Sequence, residues 1–211
     1  MDKIDLENFF KKIGEKIKEG VKNHYPIMQK RFENEKPYVI AFETDSDCMT
    51  LSFMVNTYEY LEKKDAEYAK KGYGETKWIT ADWGYWDDAI NSGMQEISDE
   101  LYKKLSSIWD QVHDQVRKQS PDLSKEQEYE QAEPLIEEYK FTELFLQMVT
   151  SVFLELIQSN VFGFDSDEVI YYITMSDDDR ADEIENNSAK VLNSKKVYEE
   201  FLRHFESIEE D

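Results

Sequence analysis

Met94, Ile97, Leu101, Leu105, Ile108, Val112 and Val116 recur at steps of three and four. That spacing predicts a helix of about six turns with one continuous apolar stripe. A helix so patterned needs a second apolar surface to cover the stripe, because packing rather than propensity supplies most helical stability in water. Pro121 closes the element. Two further segments carry helical patterns. Leu6, Phe10, Ile13, Ile17 and Val21 mark a first amphipathic helix, with Asp2 or Asp5 placed to cap it and Pro26 close to its end. In residues 141–157 apolar side chains cover most of the helix circumference, which predicts a central helix covered by its neighbours. That segment is short for a membrane span, and Glu143, Gln147 and Glu155 interrupt it.

Three segments instead read as strands. Residues 38–42 form an apolar run rich in β-formers. Leu51, Phe53 and Val55 alternate with Ser52, Met54 and Asn56, and Val169, Tyr171, Ile173 and Met175 alternate in the same way. Thr44, Asp45, Ser46 and Asp47 have the composition of a turn, so the first two strands are expected to pair as an antiparallel hairpin, the first more buried than the second. Residues 58–71 read as a helix ended by Gly72 and Gly74. Ser124 and Gln127 match a capping box opening a helix expected to break near Pro134. Gly163 ends the apolar helix, residues 176–188 read as an acidic connector, and Ser194 is placed to cap a last helix. No repeat or Pro-rich linker divides residues 1–211. The expectation is one α+β domain with an antiparallel or mixed β-sheet packed by several α-helices.

Charge narrows the functional classes. Net charge is −22, and residues 1–35 are nearly neutral, with eight Lys or Arg against seven Asp or Glu; the remainder carries 17 against 40. Such a field repels nucleic acid and anionic membrane and attracts basic proteins. Cys48 is the only cysteine, so neither an intramolecular disulfide nor a cysteine zinc cluster can form. The first residues lack a signal-peptide apolar block, and a cytoplasmic location is expected.

Two candidate surfaces stand out. The stretch "TKWITADWGYW" holds three of the four tryptophans, so Trp78, Trp83, Tyr85 and Trp86 are candidates for a partner or ligand surface. With a helix beginning near Asp82, Trp83 and Trp86 would be neighbours on one face. Filling a sheet–helix junction is the favoured alternative. Asp177, Asp178 and Asp179 follow a predicted strand and could meet Asp45 or Asp47 around a divalent cation. The calcium-loop pattern is absent, so an exposed charged turn is the stronger reading, and neither metal nor cofactor is expected. His24, His113 and His204 lie in unrelated segments, and Asp47 beside Cys48 disfavours a thiolate. No nucleophile or phosphate-loop motif occurs.

Taken in order, "YVIAFETDSD", "WITADWGYW", "VIYYITMSDDD" and "NNSAKVLNS" resemble the family known as domain of unknown function 4303. The matching positions are Tyr38, Ala41, Thr44 and Asp45; Trp78, Trp83 and Tyr85; Ser176, Asp177 and Asp179; and Ser188, Leu192 and Asn193. The acidic stretch 120–134 departs from that pattern. The family carries no agreed activity, so the resemblance transfers no catalytic residue. By size, charge and family type it is similar to bacterial immunity proteins, which neutralise a toxin partner. The expected function is therefore a cytoplasmic bacterial protein-interaction domain that binds a basic partner. The alternative is an enzyme or metal-dependent domain built on carboxylates such as Asp45 and Asp177.

Overall fold

A computed structural model describes residues 3–72, 74, 76–165 and 167–206. Its helices are α1 (Lys3–Gln29), α2 (Tyr58–Ala69), α3 (Ala89–Ser92), α4 (Met94–Gln119), α5 (Lys125–Glu137), α6 (Phe141–Gln158), α7 (Ala181–Leu192) and α8 (Lys195–Glu206). The strands are β1 (Pro37–Asp45), β2 (Ser52–Thr57), β3 (Tyr85–Trp86) and β4 (Ile170–Ser176). Among the described residues they form one four-stranded sheet of order β3-β2-β1-β4. β1 pairs antiparallel with β2 and parallel with β4, so the sheet is mixed and the fold is α+β.

The long stripes find one another on one face of the sheet. Leu6, Phe10, Ile13, Ile17 and Val21 of α1, all seven stripe residues of α4, and Phe145, Val149 and Phe153 of α6 are buried against Ile40, Phe42, Phe53, Val55, Tyr171 and Ile173. Each such side chain contributes roughly 1.5–3 kcal/mol when fully buried. Gly20 permits the approach of α1 to α3, since a Cβ there would lie 2.4 Å from the carbonyl oxygen of Ser92. The opposite face is also covered. Val39, Ala41, Met54, Ile170 and Tyr172 pack with Trp83, Ala189, Val197 and Phe201. Burial on both faces explains the unbroken apolar run of β1. It also corrects the expected asymmetry of the hairpin, because β2 is buried from Phe53 to Thr57, with Met54 and Asn56 lying beneath the tryptophan segment and its bonds.

α1 ends at Gln29, so Pro26 lies close to its end as expected, and Tyr25, Met28 and the following Phe32 are buried there. Asp5 lies in its first turn, whereas Asp2 falls outside the described residues. Other expected boundaries move. The Ser124–Gln127 capping box forms in both directions, but α5 continues through Pro134: Ala132 is buried in the core, and Glu138 N–H still donates to Pro134 O at 3.3 Å. By length and composition, the stretch 125–158 includes a window apolar enough to cross a membrane. Lys140, at φ 55°, turns the chain inside that stretch. The acidic segment expected as a connector is largely helix α7. Ile184, Ser188 and Leu192, spaced by four, face inward, while Asp182 and Glu183 sit in the first turn where the helix dipole favours them. Ser194 accepts from Val197 N–H at 3.4 Å, as a cap of α8 does.

Candidate functional site

The tryptophan segment is not helical beyond a single 3-10 turn, Thr80–Asp82, after which Tyr85 and Trp86 form β3. Extension sends consecutive side chains to opposite faces. Trp83 joins the second core at 3% exposure, meets Tyr172 edge-on at 6.0 Å, and donates from Nε1 to Lys77 O at 3.1 Å. Trp78 and Trp86 are half-buried against the same core. Tyr85 turns to the first core, near Phe32 at 5.0 Å and Tyr60 at 5.8 Å. The expected Trp83–Trp86 helical face is therefore replaced by a strand crossing. Gly84 is required here, since a Cβ would lie 2.6 Å from the Tyr60 ring. Polar groups hold the segment down. Tyr38 Oη donates to Lys77 O at 2.8 Å, Asn56 Nδ2 donates to Tyr38 Oη at 3.0 Å, and Gly84 N–H donates to Asn56 Oδ1 at 3.2 Å.

The parallel register places Asp45 opposite Ser176, so the two acidic loops leave the sheet at the same end. Their carboxylates serve different neighbours. Asp45 Oδ1 accepts from Met49 N–H at 2.8 Å, closing the β1–β2 turn. Asp178 accepts from Arg180 N–H at 2.7 Å and from its guanidinium at 3.0 and 2.8 Å, and these bonds hold its carboxyl below the usual range. Asp177, at φ 56°, and Asp179 are exposed. Among the described residues, no group of three or more His, Cys, Asp or Glu is arranged to hold a metal ion. Cys48 is fully buried, and burial pushes its thiol up to about 12.

Just inside this end lie two carboxyls that periodicity alone does not single out. Glu43 shares the strand face of Val39 and Ala41, and its register partner is Thr174. Burial raises it, a hydrogen bond from Thr80 opposes the shift, and the charge of Asp177 adds to it. Glu185 of α7 accepts from Thr174 Oγ1 at 2.6 Å. Burial, helped by the charges of Asp182 and Glu43, pushes it up to about 7.

β4 is an edge strand, and side chains of α7 and of Asn193 at its C-terminal cap close that edge. Ser188 Oγ accepts from Ile173 N–H at 2.9 Å, and Asn193 Oδ1 accepts from Tyr171 N–H at 2.8 Å while its Nδ2 donates to Tyr171 O at 2.6 Å. These side chains stand in for the peptide groups of a fifth strand, which blunts an otherwise open edge. The segments that pin this sheet, from Tyr38 through Trp83 to Ser188 and Asn193, lie inside residues 17–194, which match the family model described as "Domain of unknown function (DUF4303)". The chain belongs to the DUF4303 family. No curated protein and no solved structure matches it. Asn193→Ala should lower stability by about 1–3 kcal/mol for each strand group left without a partner. Denaturant unfolding measures that loss, and light scattering should show concentration-dependent association through the uncovered edge.

A further feature of this DUF4303 chain lies in its acidic stretch. α4 and α5 form a half-open cavity of about 310 Å³ lined by Trp109, His113, Tyr129, Glu133, Ile136 and Glu137. His113 stacks on Trp109 at 5.9 Å and meets Tyr129 edge-on at 4.7 Å. Its Nδ1 lies 2.7 Å from Glu128 Oε1. Trp109 and Tyr129 are large hydrophobic residues left exposed, at 38% and 57%. The local signal was present in the sequence as pairs at helical spacing, Trp109 with His113 and Tyr129 with Glu133. Only the packing of the two helices joins them into one wall.

Proposed function

We propose that this protein is a cytoplasmic bacterial interaction domain that binds a basic protein partner, in the manner of an immunity protein neutralising a basic toxin domain. One observation carries the reading: exposed Trp109 and Tyr129 lie together beside α5, which bears Glu126, Glu128, Glu130, Glu133 and Glu137 against a single Lys125. Exposed aromatics bordered by charge have the character of interface hot spots, and a net charge of −22 steers a cationic partner toward them while disfavouring nucleic acid and anionic membrane. Asp177 and Asp179 extend the same field. Asp178 serves it less, being neutralised by Arg180.

The test is affinity capture from the native host at low and moderate salt, followed by association kinetics on the purified partner. Association should slow steeply as the Debye length contracts to about 8 Å. Replacing Glu126, Glu130 and Glu138 by Gln should reduce the association rate more than it raises dissociation. A partner indifferent to salt and to these charges overturns the reading, as does recovery of small molecules alone.

One observation favours carboxylate catalysis instead. Glu185, raised to about 7 beside Glu43, is poised for proton transfer near neutrality. Any turnover found in a substrate screen must then vanish in both Glu185→Gln and Glu43→Gln.

A further inference from the structure

We propose that the cavity between α4 and α5 receives a single cationic side chain, a lysine ammonium or arginine guanidinium presented by a polypeptide. The inference rests on the reading of this protein as the receptor of a basic partner, and it names the point at which that partner is held.

The walls fit this chemistry. A cation is drawn to the faces of aromatic rings, most strongly to tryptophan, and more so when it is desolvated. Trp109 and Tyr129 lie 6.5 Å apart between centroids at 59°, with the His113 ring against both. A volume of about 310 Å³ is at the small end for ligand sites and suits one extended side chain. Glu133 and Glu137 add two carboxylates to the lining. An anion would be repelled there, and a neutral apolar ligand would desolvate them without compensation.

The neighbouring Arg117 is already engaged by carboxylates. Arg117, one turn beyond His113, reaches Asp114 at 2.5 Å and Glu128 at 3.3 Å. His113 is fixed from its other side: the residue is 8% exposed, and its Nδ1 lies 2.7 Å from Glu128 Oε1, which holds the ring against both aromatic walls.

The test uses the purified protein, labelled with nitrogen-15, titrated with n-butylammonium chloride, methylguanidinium chloride and the neutral comparator 1-pentanol, one heavy atom larger than either cation. The indole N–H of Trp109 is followed by NMR. Both cations should move that resonance saturably and bind roughly tenfold more tightly than 1-pentanol, as ring and carboxylate attraction together require. Tyr129→Leu should abolish the saturable phase, and Trp109→Leu, which removes the indole reporter, should abolish it as read from the Tyr129 backbone amide. Glu137→Gln, an exposed change that leaves the core untouched, should weaken it several-fold, and Asp179→Asn should leave it unchanged. Equal binding of 1-pentanol overturns the inference, as does a response spread over the acidic surface and insensitive to Tyr129→Leu. A basic partner that binds the Trp109→Leu protein as tightly as the parent also overturns it, while leaving the proposed function intact. If cations seat in the cavity but no salt-sensitive basic partner exists, the seat stands and the proposed function falls.

Discussion

Trp83→Ala should lower the unfolding free energy by about 3–5 kcal/mol, the range for removing a fully buried large aromatic side chain. The ring is 3% exposed, contacts Tyr172, and closes the second face of the sheet together with Phe201 and Val197. Its loss leaves a cavity beneath a segment that no regular helix supports. Lys77 O loses one of two donors but keeps Tyr38 Oη, so the cost is mainly one of packing. Trp83→Phe should therefore recover most of the stability, and Trp86→Ala, at a half-buried position, should cost less than Trp83→Ala. Denaturant midpoints at constant slope give the comparison. An unchanged midpoint together with lost partner binding would assign the ring to an interface instead.

Stability should also fall as pH rises from 4.5 to about 7. The folded chain holds the Glu185 proton more tightly than the unfolded chain does, since burial raises this carboxyl from 4.5 to about 7. Its contribution is complete below pH 4.5 and is lost as pH climbs through about 7. With about 1.4 kcal/mol per unit, reduced for partial exposure, the loss amounts to roughly 2–3 kcal/mol. Glu43 and Asp87, also raised by burial, act in the same direction. Asp178, lowered by Arg180, acts oppositely, but below its ordinary value of 3.8 and so outside this window. Glu185→Gln retains an acceptor for Thr174 and removes the titration. Its stability should exceed that of the parent at pH 8 and converge with it toward pH 4.5. Parallel curves over the whole range would exonerate this carboxyl.

What the sequence by itself determined is local. The stripe of α4, the inward positions of α1, the Ser124–Gln127 box and the β1–β2 hairpin depend on spacing within one element, and each forms as its spacing requires. The charge asymmetry is likewise a property of composition. Pairing across distance was decided only by the tertiary structure. β1 meets β4 in parallel after more than a hundred intervening residues, and no local pattern encodes that register. Pro134 fails to break α5 because its buried neighbour Ala132 outweighs a missing hydrogen bond. The tryptophan segment folds as a strand crossing because Asn56, Tyr38 and the Lys77 carbonyl pin it to the sheet. Glu185 is legible as an acid, but its proton affinity belongs to the burial that α7 acquires against β4. Trp109 and Tyr129 lie on two separate helices, and only the packing of α4 on α5 brings them to one cavity. Periodicity is a short-range property of the chain, whereas burial, register and electrostatic environment arise only where distant segments share a surface.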